Sequence, residues 1–175
     1  MARRAAGHAY PLKHMLSACA VRPADDDDAA LIAGLTRKAW AGKVSVTSSG
    51  HRETAVLVAE HLRQGGGFVL LDDEQPIGSV RWLPHDTEPR VWEILRMGVL
   101  PEYRGRNISQ HLLEAVIHHG LESGIDELRL AVRADQPKLI DFYSAFEFEL
   151  APELEYSHAN PLEPAPLVMR RLLRD

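Results

Sequence analysis

Cys19 is the only cysteine in 175 residues, so no disulfide can form within the chain, and a reducing, cytoplasmic setting is the simpler expectation. Long apolar runs are missing too. Nothing approaches the roughly 18 consecutive apolar residues of a membrane helix, so no membrane association is expected. The opening stretch, MARRAAGHAYPLKHMLSA, carries paired arginines, but Gly7, His8, Pro11, Lys13 and His14 interrupt any apolar core of a signal sequence. Positive charge is also in short supply. At a formal net charge of −5, the chain lacks the basic stripe that a general nucleic-acid binder uses to neutralise phosphates. No internal repeat or low-complexity segment is visible.

With 45% hydrophobic and 26% charged residues, the chain is large enough to bury one proper core. Residues 1–17 read as an N-terminal extension, with Met15 an alternative start, and 18–175 as a single domain.

Periodicity then orders the elements. ACAVRPA (18–24) is short, apolar and closed by proline, as a first strand would be. The acidic run 25–28 reads as a cap and solvated turn, because the remaining ligand spacings of a calcium loop are absent. Ala29, Ile32, Leu35 and Ala39 follow at helical spacing. A polar link, 41–51, leads to a second helix over 52–64 that stops at Gly65, Gly66 and Gly67. Those glycines follow a helix and precede a strand, the reverse of a phosphate loop. Two strands flank the turn Asp72 to Gln75, and a third spans 89–99, making an antiparallel meander. A helix runs to Gly120 or beyond and is stopped by Gly124. A strand at 126–132, a helix at 136–146 and two strands joined by a proline-rich loop complete a mixed α/β chain.

VLPEYRGRNISQHLLEAV (99–116) is the most informative stretch. The first amides of a helix have no partners inside it, and the aligned peptide dipoles place partial positive charge there. Gly105 would let a ligand approach the backbone closely, while Arg104 and Arg106 would add charge. Simple capping and pyrophosphate binding both fit this stretch alone.

VLPEYRGRNISQHLLE resembles the V-x-P-x-x-R-G-x-G-I-G-x-x-L-L motif of the GCN5-related N-acetyltransferase family, and FYSAFEF (142–148) is similar to its [LF]-Y-x-x-x-G-F. The element order from about Val21 to Leu173 also matches. The resemblance implies a largely antiparallel seven-stranded sheet with one splayed parallel strand pair, flanked by about four helices. It implies acetyl-CoA as cosubstrate without a metal, its pyrophosphate on amides from Arg104 through Gly105, Arg106, Asn107 and Ile108 to Ser109. Met97, Gly98 and Val99 would border the pantetheine arm, with Gln136 where the family often has asparagine.

Three residues depart from the pattern. Asn107 and Ser109 replace small residues, and Glu147 replaces the glycine before Phe148. Asparagine tolerates left-handed backbone best among non-glycine residues. At Glu147 the same geometry would cost about 1 kcal/mol, so a different helix ending is expected there.

Acetyl transfer to an amine needs a base for the ammonium and an acid for the departing thiolate. By resemblance Glu93 is the candidate base. Strand alternation puts it on one face with Val91, Leu95 and Met97, where apolar neighbours would raise its pKa; a rim glutamate in water is the other reading. Tyr143 is the candidate acid, or else a core aromatic in a stripe with Leu139 and Phe146. Cys19 reads as a buried structural thiol. His111, His118 and His119 lack a third ligand and read as solvated. Trp40, Trp82 and Trp92 read as core or pocket-lining residues.

The expected activity is an acetyl-CoA-dependent N-acetyltransferase working on a small-molecule or peptide amine by direct attack in a ternary complex. The segments 41–51 and 157–166 would shape the acceptor site. A non-catalytic acyl-CoA-binding module on the same fold is the alternative. A dinucleotide-binding domain would need G-x-G-x-x-G after the first strand, which is absent. A homodimer is compatible with the sequence.

Overall fold

A computed structural model of the protein describes residues 19–42, 47–105 and 107–174. The expected extension 1–17 and Arg106 lie outside these residues. The elements are β1 (Cys19–Pro23), α1 (Ala29–Trp40), α2 (Ala55–Gln64), β2 (Gly66–Asp72), β3 (Gln75–Pro84), β4 (Val91–Val99), α3 (Gln110–Glu122), β5 (Glu127–Val132), α4 (Lys138–Ser144), β6 (Glu149–Leu150) and β7 (Leu167–Leu172). They follow the order expected from the sequence.

Local chemistry explains several boundaries. Asp25 caps the acidic turn by accepting from the Asp27 N–H at 2.9 Å, Asp28 accepts from the Asp25 N–H at 3.0 Å, and Arg22 clamps Asp28 with two bonds of 2.8 Å. Thr54 caps α2 through the Leu57 N–H, so the helix starts later than its expected start at residue 52. Its end lies close against β3, where a Cβ on Gly65 would stand 1.9 Å from the Trp82 carbonyl oxygen.

The seven strands form one sheet in the order β1-β2-β3-β4-β5-β7-β6. All neighbours are antiparallel except β4 and β5. Both faces of the sheet are covered. Val69 of β2 packs with Ala29, Ile32, Ala33 and Val58 of α1 and α2, while Leu70 joins Leu112, Leu113 and Val116 of α3. His119 of α3 is half-buried rather than solvated, within 5.9 Å of the rings of Phe68, Trp82 and Trp92. Cys19 is likewise only half-buried, and burial with nearby Asp72 and Asp73 pushes its thiol pKa up, which suits an inert role.

Strand alternation fails in β4. Arg81 pairs with Leu95 and Ser79 with Gly98, so Arg96 and Met97 together stand opposite Val80. This is a β-bulge, with Arg96 left-handed at φ 55°. Beyond it Gly98, not Met97, continues the side of Glu93 and Leu95. A Cβ there would come within 2.7 Å of the Trp40 ring of α1.

Glu147 does adopt left-handed backbone, φ 66°. The α4 terminus therefore closes as a glycine-type ending: the Phe148 N–H donates to the Tyr143 carbonyl at 3.2 Å, and Arg171 holds both the Glu147 carboxylate and the Phe146 carbonyl, each at 2.9 Å. Because Glu147 is exposed, its ion pair adds little. Replacing Glu147 by glycine should therefore raise unfolding stability by about 1 kcal/mol in a urea titration; a loss of stability would show that the ion pair outweighs the strain.

Candidate active site

The parallel neighbours β4 and β5 bond over only three residue pairs, Val91 with Glu127, Trp92 with Leu128 and Glu93 with Arg129. Beyond them the strands part. A cleft of about 160 Å³ opens between Ile94 to Met97 on one side and Leu130, Ala131 and Arg133 on the other. Tyr143 of α4 and Trp40 of α1 form further wall. Ser48, Ser49 and residues 158–160 also line it, so both segments expected to shape an acceptor site border this cleft. They are tied together: the Thr47 hydroxyl donates to Glu163 at 2.5 Å, and the Asn160 amide donates to the Thr47 carbonyl at 3.0 Å.

The turn between β4 and α3 leaves amides free. Gly105 (φ 76°) and Asn107 (φ 55°) are both left-handed, as expected of these residue types. Among the described residues, nothing accepts from the N–H groups of Gly105, Asn107, Ile108 or Ser109, and the Ser109 hydroxyl makes no capping bond. Arg104 departs from expectation. Its N–H donates to the Pro101 carbonyl at 3.2 Å, and its guanidinium is bonded to the Ala39 carbonyl at the end of α1. The Arg104 side chain thus ties α1 to the turn. Met97 and Gln136 line the cleft, while Gly98 and Val99 are paired with β3.

Tyr143 lines the cleft, and its hydroxyl has no hydrogen-bond partner among the described residues. Burial pushes its pKa up to about 12, so the phenol keeps its proton at neutral pH. Nearby, the Tyr156 hydroxyl donates to the Ile94 carbonyl at 2.9 Å.

Glu93 differs from expectation. Its side chain is fully buried, but polar groups surround the carboxylate. Oε2 accepts from the Ser157 N–H at 2.9 Å, while Oε1 accepts from the Ser157 hydroxyl and from His158 Nδ1, the latter at 2.5 Å. Burial alone would raise its pKa. The bonds from His158 and Ser157 outweigh that, and the pKa falls below the ordinary carboxylate value. His158, rather than Glu93, lines the cleft.

A second buried cluster, absent from the sequence reading, lies behind the bulge. Arg81 and Glu53, both fully buried, form a two-pronged pair at 2.9 and 3.1 Å. Arg96 Nε adds a bond of 2.5 Å to Glu53, and its Nη2 reaches the Ser49 hydroxyl at 2.5 Å. One carboxylate therefore holds two guanidinium groups and fixes Arg96 in the cleft wall. On the far wall Arg133 donates to the Ser48 hydroxyl at 2.7 Å. No sequence signal marked Glu53, which fell inside an expected helix, or His158, which reaches Glu93 from 65 positions away.

The sheet is parted between its parallel neighbours, and free amides stand before the next helix. The chain belongs to the acetyltransferase (GNAT) family, whose sequence profile matches residues 35–148. It is 30% identical over 149 residues to a mycothiol acetyltransferase of Sanguibacter keddieii, covering 82% of this chain but 46% of that protein. The chain thus spans less than half the length of this curated relative. Among solved structures, PaiA N-acetyltransferase from Thermoplasma acidophilum in complex with coenzyme A superposes at TM-score 0.70, with 18% identity over 88% of this chain and 98% of that one. The ribosomal-protein-S18-alanine N-acetyltransferase from Escherichia coli superposes at 0.68, with 16% identity over 89% and 94%. Among the described residues no helix is long and apolar enough to cross a membrane, and no group of three His, Cys, Asp or Glu could hold a metal ion.

His61 of α2 touches this cluster and titrates unusually. Its Nδ1 lies 3.0 Å from Arg81 Nη1, and a guanidinium can only donate, so Nδ1 must be unprotonated. Burial, then the charge of Arg81, lowers its pKa from an ordinary 6.5 to about 4. Between those values the unfolded chain binds a proton that the folded chain refuses. Stability should therefore fall as pH drops from 6.5 toward 4. His158 contributes with the opposite sign and above pH 6.5, because its pKa is raised. His61→Gln, whose side-chain carbonyl can still accept from Arg81, should flatten the acid slope in urea titrations at several pH values. An unchanged slope would assign the acid loss to other groups.

Proposed function

We propose that this chain is an acetyl-CoA-dependent N-acetyltransferase that transfers an acetyl group to a primary amine of a small molecule or peptide by direct attack in a ternary complex. The observation that carries this reading is the position of Tyr143 in the wall of the cleft where β4 and β5 part.

The residues present fit the cosubstrate. Free N–H groups at Gly105, Asn107, Ile108 and Ser109 suit a diphosphate, which accepts hydrogen bonds and favours the positive end of α3. The β4 edge from Leu95 to Val99 has no β5 partner, so its peptide groups can bond the amides of a pantetheine arm beside Met97 and Gln136. Gly98 and Val99 hold that edge in register against β3.

In the reaction, the amine lone pair forms the new C–N bond, and the C–S bonding pair leaves on sulfur. Tyr143 gives its proton to that sulfur. In water a phenol of pKa about 12 would be a poor donor to a thiolate, whose conjugate acid has a pKa of about 8.5. In the cleft, however, the thiolate is desolvated as well, and burial raises the proton affinity of both anions. Glu93 supplies the negative charge behind the acceptor side.

Tyr143→Phe should lower kcat at least tenfold while leaving acetyl-CoA affinity nearly unchanged, because the lost hydroxyl anchors nothing in the structure. The check is thiol release with a broad panel of amines, alongside calorimetric titration of coenzyme A. Equal turnover in the variant would remove the acid role. Binding of acetyl-CoA without acetylation of any amine would instead favour a non-catalytic module.

A further inference from the structure

We propose that His158 is the general base that takes the proton from the acceptor amine, with Glu93 as the buried positioning residue that holds the opposite nitrogen of its ring. This rests on the acetyltransferase reading above.

Glu93 cannot serve the amine directly. It is fully buried, and its two oxygens are occupied by the Ser157 N–H, the Ser157 hydroxyl and His158. The imidazole stands between this carboxylate and the cleft. His158 lines the same cleft as Tyr143 and is one-quarter exposed there.

The ring's protonation follows from the contact. A carboxylate can only accept, so the Nδ1 nitrogen 2.5 Å from Glu93 carries the hydrogen. In the neutral ring that leaves the lone pair on Nε2, which has no partner among the described residues. A buried carboxylate on one ring nitrogen thus fixes both the tautomer and the direction of the basic atom.

The support around the ring is firm. The Tyr156 hydroxyl is bonded to the Ile94 carbonyl, and the rings of Tyr156 and His158 lie 6.0 Å apart. The groups that face His158 electrostatically are Glu93 of β4, Asp86 of the β3–β4 connection and His61 of α2, with Arg96 and Glu163 in the same cleft wall. The hydrogen bond to Glu93 dominates and raises the imidazole pKa despite burial. This strengthens the base.

The proton balance closes. Nε2 takes one proton from the ammonium, which frees the lone pair for attack, and later releases it to water. The C–N bond forms, the C–S bond breaks, and Tyr143 protonates the sulfur. The second proton lost from nitrogen returns through solvent to the tyrosinate. Each turnover yields amide, free thiol and one proton in solution.

The test combines the pH dependence of kcat/KM with nitrogen NMR of ring-labelled histidine. In the wild-type protein, kcat/KM should show an acid limb with an apparent pKa above the ordinary imidazole value. His158→Gln should displace that limb to the higher pH at which the amine itself loses its proton and lower kcat about a hundredfold at neutral pH, with KM for acetyl-CoA unchanged. Glu93→Gln should retain the limb but shift it to lower pH. NMR should find neutral His158 with its hydrogen on Nδ1. A working enzyme whose acid limb stays at the wild-type pH in His158→Gln, or a neutral His158 protonated on Nε2, would overturn the base role alone. A wild-type protein that acetylates no amine of the panel would overturn the enzymatic reading and the base role with it.

Discussion

Three residue pairs of parallel hydrogen bonding, ending at Glu93 and Arg129, are the constraint on which the site depends. A sheet normally satisfies the peptide groups of an interior strand on both edges, and leaving them unpaired away from water is costly. Here β4 keeps its partner on the β3 side through Val99 but loses β5 after Glu93. The exposed edge invites a ligand that is itself amide-rich. The bulge at Arg96 and Met97 belongs to the same departure, since an extra residue on one strand bends and twists it locally.

The polar groups around the cleft form two clusters with different tasks. Glu53, Arg81 and Arg96 form a charge-assisted network behind the bulge, and it anchors a guanidinium in the wall. Removing one member would strand a buried charge, a far larger penalty than loss of a surface pair. Glu93, Ser157 and His158 form the other, joining β4 to the long connection before β7. Burial affects the two carboxylates alike. Both are nonetheless held below the ordinary carboxylate pKa, because donors surround them.

Much of this was legible in the residues. The helical stripe at Ala29, Ile32, Leu35 and Ala39, the turn at Asp72 to Gln75 and the left-handed suitability of Asn107 all rest on local rules, and those rules held. What escaped was non-local. Period-two alternation carried Met97 onto the side of Glu93, because a bulge leaves no compositional mark. Glu93 looked like an acid among apolar neighbours only until a loop some 65 positions away supplied its donors. Arg104 looked like a phosphate ligand, yet its side chain reaches back across 65 positions to the end of α1. At Glu147 the local rule foresaw the strain but pointed to a different helix ending, whereas the chain keeps the left-handed residue and Arg171 of β7 bonds the Phe146 carbonyl beside it.

The most direct test of the central claim is a crystal structure of the protein grown with coenzyme A. The account predicts the diphosphate on the N–H groups from Gly105 to Ser109, the pantetheine arm along the unpaired β4 edge and the sulfur beside Tyr143. A coenzyme seated elsewhere, or a β4–β5 gap closed by continued strand pairing, would contradict it.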